Sequence, residues 1–103
     1  MKQRNVLHVI SRNSKKLLEA ANQHGGLSAP LDAWYRVVKR ASWEDIVEVR
    51  RQFPSADAAG KHTIFNIKGN AYRLITEIYY RSQVILVRGV MTHAEYDKEG
   101  WRQ

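Results

Sequence analysis

Four residues in the last third of the chain carry side chains suited to phosphodiester chemistry: Arg73, Arg88, His93 and Tyr96. Arg73 lies within Ala71-Tyr72-Arg73-Leu74-Ile75-Thr76-Glu77-Ile78-Tyr79-Tyr80, and Arg88 within Gln83-Val84-Ile85-Leu86-Val87-Arg88-Gly89-Val90-Met91. Both runs read as strands, and a strand turns alternate residues to one face, so each arginine is presented to a chosen side. The chain then breaks into Thr92-His93-Ala94-Glu95-Tyr96, where Thr92 and Glu95 have capping-box spacing and predict a short terminal helix. His93 and Tyr96, three apart, share a face of its first turn. A helix N-terminus disfavours the charged imidazole and leaves a neutral ring able to accept a proton.

Cutting RNA without a metal requires a base for the 2′-hydroxyl, an acid for the leaving oxygen and cations on the phosphate. Acid and base contribute about 10²–10⁴-fold each, and fixed cations stabilise the charge of the transition state. His93, Tyr96, Arg73 and Arg88, with Lys61, His62 or Lys68 on the preceding strand, supply every role. Each also has a structural alternative. Arg73 can pair with Glu77, Arg88 can be an edge arginine, and His93 with Tyr96 can be a surface histidine and a packing tyrosine around a cap.

Composition favours this chemistry over others. Seventeen lysines and arginines stand against ten acids, giving a net charge of +7 and a sequence pI near 10.0. That surplus in a 103-residue chain suits a polyanionic partner. There are no cysteines, which excludes disulfides, thiolate nucleophiles and thiolate metal sites. His8, His24 and His62 lack metal-ligand spacing, so no metal or other cofactor is expected. No apolar run approaches the roughly 18 residues of a membrane span, and no signal-type segment opens the chain. The expectation is a cytoplasmic protein of one domain, residues 1–103, without a membrane partner.

The elements that must position these residues follow from periodicity. Val6-Leu7-His8-Val9-Ile10 reads as a strand, and Leu17, Leu18 and Ala21 as a helix ended by Gly25-Gly26. A second helix starts at Ala29-Pro30 and buries a stripe of Leu31, Trp34, Tyr35 and Val38. Its other side carries Arg36, Lys39 and Arg40. Ser42-Trp43-Glu44-Asp45 predicts a third helix start, Arg50-Arg51 its last turn and Pro54 its stop. Residues 55–60 read as a loop. From His62 the period becomes two, with Thr63, Phe65 and Ile67 on one side and His62, Ile64, Asn66 and Lys68 on the other. Turns at Lys68-Gly69-Asn70 and Arg81-Ser82 then join three consecutive antiparallel strands.

The run Phe65-Asn66-Ile67-Lys68-Gly69-Asn70-Ala71-Tyr72-Arg73-Leu74-Ile75, followed by Val87-Arg88-Gly89-Val90-Met91-Thr92-His93-Ala94-Glu95-Tyr96-Asp97, resembles the HigB-type toxins of the RelE/ParE toxin–antitoxin superfamily. The close likeness covers residues 60–97. It implies an α+β, RelE-like twisted antiparallel sheet with N-terminal helices packed on one face and a short C-terminal helix. It also implies an mRNA interferase, an endoribonuclease that cuts mRNA on translating ribosomes without a metal and is neutralised by a HigA-like antitoxin. Arg73 falls at the family's Tyr-Arg-Leu position, implying a phosphate or transition-state role. Tyr96 matches the C-terminal tyrosine of RelE-like relatives, and His93 the histidine of the Thr-His block. RelE-type members carry lysines where this chain has Ile64 and Asn66.

The expected site is therefore Arg73, Arg88, His93 and Tyr96 for catalysis. Lys61, His62, Asn66 and Lys68 would contact the RNA near it. Arg36, Lys39 and Arg40, with Lys15 and Lys16, would grip ribosomal RNA. A different class remains open, a non-enzymatic RNA-binding module or a ParE-like inhibitor of a protein target.

Overall fold

The computed structural model describes residues 8–10, 26–69 and 71–98. The proposed helix around Leu17, Leu18 and Ala21, together with Lys15, Lys16, His24, Asn70 and Trp101, lies outside the described residues. In chain order the elements are β1 (His8–Ile10), α1 (Ser28–Val38), α2 (Ile46–Gln52), β2 (Asp57–Ala59), β3 (His62–Ile67), β4 (Tyr72–Tyr79), β5 (Val84–Thr92) and α3 (His93–Asp97). The strands form one sheet in the order β1-β5-β4-β3-β2, so the architecture is α+β with a short terminal helix.

One face of the sheet is made by Phe65 and Ile67 of β3, Leu74 of β4 and Ile85 and Val87 of β5, all buried. Leu31, Trp34 and Val38 of α1 and Val49 of α2 join the same cluster, so both helices cover this side. Phe65 is its hub. Its ring meets Trp34 edge-on at 5.5 Å and Phe53 edge-on at 5.1 Å, and Trp43 stacks at 6.3 Å. Gln83 ties the β4–β5 turn to this cluster: its Oε1 accepts from the Trp43 amide at 3.1 Å, and its Nε2 donates to the Trp43 carbonyl. Holding that posture puts Gln83 in the left-handed region, at φ +56°.

Several expectations change. Tyr35 is not part of the buried stripe; it is 44% exposed beneath the Lys39 ammonium, which lies 5.5 Å from its ring centroid. The third helix does not start at Ser42. Trp43 is anchored in the core, and Asp45 becomes the cap, accepting from the Glu48 amide at 3.1 Å. The stretch read as a loop contains β2, whose Asp57, Ala58 and Ala59 pair antiparallel with Ile64, Thr63 and His62. Aspartate and alanine have low β propensity, and here the bare edge of β3 supplies the pairing. The sheet is antiparallel except at β1, which runs parallel to β5. Parallel pairing needs a long crossover, and most of the chain lies between these two strands.

A bulge lies at the centre of the sheet. Ile75 pairs with Gly89 and Thr76 with Val87, leaving Arg88 as the extra residue of β5. Without it, strict alternation after Ile85 and Val87 would turn Val90 away from the core. With it, Val90 packs against the helix-side cluster and the strand's last residues keep the phase that leads into α3.

Candidate active site

The face opposite the helices holds the polar groups. Arg73, Ile75 and Glu77 alternate with Leu74, so they point away from the helices. Directly opposite residues of paired strands share a face, which puts Asn66 beside Arg73 and Ile64 beside Ile75. Ile64 and Ile75, each 2% exposed, form an apolar floor between the two charged positions. Arg73 is itself only 9% exposed.

α3 brings the remaining groups to Arg73. The reciprocal capping box is formed: Thr92 Oγ1 accepts from the Glu95 amide at 3.1 Å, and Glu95 Oε1 accepts from the Thr92 amide at 2.9 Å. A further bond from the His93 amide to the Ala71 carbonyl, 3.1 Å, pins the helix start against the beginning of β4. His93 Nδ1 then lies 2.7 Å from Arg73 Nη2, and the Tyr96 ring centroid 5.7 Å from the guanidinium carbon. On its other side His93 Nε2 is 3.2 Å from Asp97 Oδ2, one helical turn on.

An arginine only donates, so in this contact His93 Nδ1 is the acceptor, while Nε2 faces the Asp97 carboxylate. Both ring nitrogens are thereby engaged. The Arg73 guanidinium also donates to the Tyr72 carbonyl at 3.4 Å. Beside this group lies a pocket of 480 Å3, lined by Arg50, Pro54, Ser55, Ala56, Asp57, Ile64, Asn66, Arg73 and Tyr96. A cation and a phenol lining a polar pocket, with an imidazole against the cation, can bind a phosphate and move protons around it.

Residues 27–99 match the family described as HigB toxin, the RelE-like toxic component of a toxin-antitoxin system. The mRNA interferase toxin HigB of Escherichia coli strain K12 is 31% identical over 94 residues, 88% of each chain. The mRNA interferase HigB of Shigella flexneri matches to the same extent. That of Escherichia coli O6:H1 is 30% identical over 95 residues, 89% of this chain and 90% of its own. The chain belongs to the HigB toxin family. It is thus the toxic component of a toxin–antitoxin system, which implies an antitoxin partner.

The toxin's other expected site residues divide by location. Arg88 does not join Arg73. Its Nε lies 3.3 Å from Glu77 Oε2, four residues along β4 and about 13 Å away at the rise of a strand. Lys61 Nζ reaches the other oxygen of Glu77 at 3.8 Å. The pairing offered for Arg73 with Glu77 is therefore taken by Arg88 and Lys61. His62 is buried and lines a separate 540 Å3 pocket with Lys61, Glu77, Tyr79 and Tyr80. Burial there pushes the Tyr80 phenol above its usual pKa, against the opposing effect of a hydrogen bond with Thr63. Lys68 turns toward Gly26, where an added Cβ would stand 2.9 Å from its ammonium, and it does not line the 480 Å3 pocket. Arg36 on α1 and Lys39 and Arg40 in the turn just after it lie exposed on the far side of the sheet, around a 660 Å3 surface hollow.

Three further residues join this arrangement: Asp97 through His93, and Arg50 and Asp57 in the pocket lining. The spacing of Asp97, one helical turn after His93, signals its contact; nothing local in the sequence brings Arg50 or Asp57 to the pocket that Arg73 lines.

Proposed function

We propose that this toxin is an endoribonuclease that cleaves mRNA on the translating ribosome, using side chains and no metal ion. The observation that carries this reading is the 2.7 Å contact between Arg73 Nη2 and His93 Nδ1 beside the Tyr96 ring. The mRNA interferase names of relatives at 30–31% identity over nearly the whole chain support the substrate.

The geometry supports a sequence of events. In the resting site Arg73 occupies the lone pair that His93 would need as a base. A substrate phosphate is a stronger acceptor for a guanidinium than a neutral imidazole is. As Arg73 turns its donors to the scissile phosphate, Nδ1 is released to take the 2′-hydroxyl proton, and Asp97 stabilises the imidazolium through Nε2. The 2′-oxygen attacks phosphorus, the P–O5′ bond breaks as the 5′-oxygen takes a proton from the Tyr96 hydroxyl, and a 2′,3′-cyclic phosphate and a 5′-hydroxyl end form. Tyr96, stacked on the guanidinium, offers a face for a base and a hydroxyl near the leaving oxygen. Lys61 and Arg88 remain with Glu77 and extend the cationic track along the same face. Arg36, Lys39 and Arg40 contact ribosomal RNA from the other side, and a HigA-like antitoxin neutralises the toxin in the cytoplasm.

The test is cleavage of mRNA on programmed ribosomes in EDTA-treated buffer containing cobalt hexammine in place of magnesium, with mapping of new 5′ ends. Cleavage phased to codons, reduced about 10²–10⁴-fold in His93→Ala, is the expected result. Growth arrest on expression with intact transcripts would move the protein to the inhibitor class.

A further inference from the structure

The pocket beside Arg73 is lined by a second arginine as well, and this arginine is held in place. Arg50 comes from the last turn of α2, where Phe53 closes the helix and Pro54 prevents it continuing. The following turn, fixed by the Ala56 amide donating to the Phe53 carbonyl at 2.9 Å, folds the chain back over that helix end. The Ala56 carbonyl then accepts from Arg50 Nε at 3.0 Å. Asp57, the first residue of β2, places its Oδ1 3.5 Å from Arg50 Nη2. Asp57 sits opposite Ile64, and so projects on the Arg73 face.

We propose that Arg50 is a substrate-positioning residue that binds an RNA backbone phosphate adjacent to the one held by Arg73, with Asp57 orienting its guanidinium. A guanidinium carries five donors in a rigid fork. The two contacts engage Nε and Nη2, and among the described residues Nη1 has no partner. The side chain is half exposed, at 47%, so a strand of RNA can reach it. Arg73 is nearly buried and reaches one phosphate; a second cation lining the same 480 Å3 pocket sets the direction in which the strand runs. Fixing Nε and Nη2 beforehand reduces the rotamer entropy lost on binding.

This inference rests on the ribonuclease reading for its substrate, and the experiment separates the two. Cleavage kinetics on programmed ribosomes are measured beside equilibrium binding of a short single-stranded RNA methylated at its 2′-oxygens, which cannot be cut. The proteins are the parent, Arg50→Ala, Arg50→Lys, Asp57→Asn and Arg51→Ala. Arg51 is exposed on the same helical turn and does not line the pocket, so it controls for bulk charge. Arg50→Ala should raise KM and weaken binding about ten- to a hundredfold with kcat little changed, because the contact is made equally in ground and transition states. Its log–log salt slope should shrink by about 0.7, one phosphate on a single strand. Arg50→Lys should restore part of the affinity, and Asp57→Asn should raise KM without altering the salt slope. Arg51→Ala should behave as the parent. KM and binding unchanged in Arg50→Ala, or altered equally in Arg51→Ala, would overturn the proposal while leaving the reaction standing. Loss of binding in Arg50→Ala with no cleavage by the parent would sink the reaction and keep the phosphate contact.

Discussion

On the proposed mechanism Arg73 makes two contacts in turn from one nearly buried position, first with His93 Nδ1 in the resting site and then with the phosphate. A lysine there would keep the charge and lose the planar fork that meets phosphate oxygens with fixed geometry. Arg73→Lys should therefore cut kcat by at least about tenfold, as losing a charge-assisted hydrogen bond would. The thermal midpoint should fall by only a few degrees, since the replacement still spans the pocket wall. Single-turnover cleavage and a thermal melt on one preparation check both statements. Tyr96→Phe keeps the ring over the guanidinium and removes the hydroxyl. If the hydroxyl serves the leaving oxygen, this variant loses rate; if Tyr96 only stacks, Tyr96→Phe acts as the parent and Tyr96→Ala does not.

The terminal helix is five residues long, below the length at which an isolated helix holds itself together. Its order comes from the capping box at Thr92 and from the bond of the His93 amide to Ala71. Thr92→Ala should cost about 0.5–2 kcal/mol locally and lower kcat more than it lowers global stability, because it loosens His93 and Tyr96 together. Thr92→Ser should restore both. Phe65 behaves in the opposite way. It is the hub of the helix-side core and faces away from the pocket, so Phe65→Ala should cost about 3–5 kcal/mol in urea unfolding. At temperatures where that variant remains folded, its kcat should stay close to the parent's.

Across the whole molecule the sheet separates two basic surfaces. One carries Arg73, Arg50, Lys61 and Arg88 with the pocket; the other carries Arg36 on α1 and Lys39 and Arg40 at its C-terminal end. Arg36 is partly neutralised by Asp32 at 2.8 Å, and Lys39 lies over Tyr35. If the second surface grips ribosomal RNA, replacing Arg36, Lys39 and Arg40 together by alanine should raise KM for ribosomes and flatten its salt dependence by up to about 0.9 per lost contact. Cleavage within the preformed complex should keep its rate. A plain solvated helix face would show neither change.

What the residues determined by themselves is what local chemistry and periodicity can carry. The alternation around Phe65 and Leu74, the stripe of Leu31, Trp34 and Val38, the Thr92–Glu95 box and the sharing of one helix face by His93 and Tyr96 all depend on neighbours a few positions apart. The family motifs lie in those same stretches, which is why Arg73, His93 and Tyr96 were legible as a group. The rest needed contacts distant in sequence. The bulge at Arg88 exists because Ile85, Val87 and Val90 must all reach one core, and it delivers Arg88 to Glu77 rather than to Arg73. β2 forms because β3 offers it an edge, despite its own low propensity. Tyr35 stays outside, its ring under the Lys39 ammonium, although its spacing places it in the helix stripe. Arg50 reaches the pocket because a turn after Pro54 folds back onto its own helix and a strand pairing sets Asp57 beside it. Short-range spacing could name the candidate reacting groups, but only the packed sheet could decide which cations stand with them.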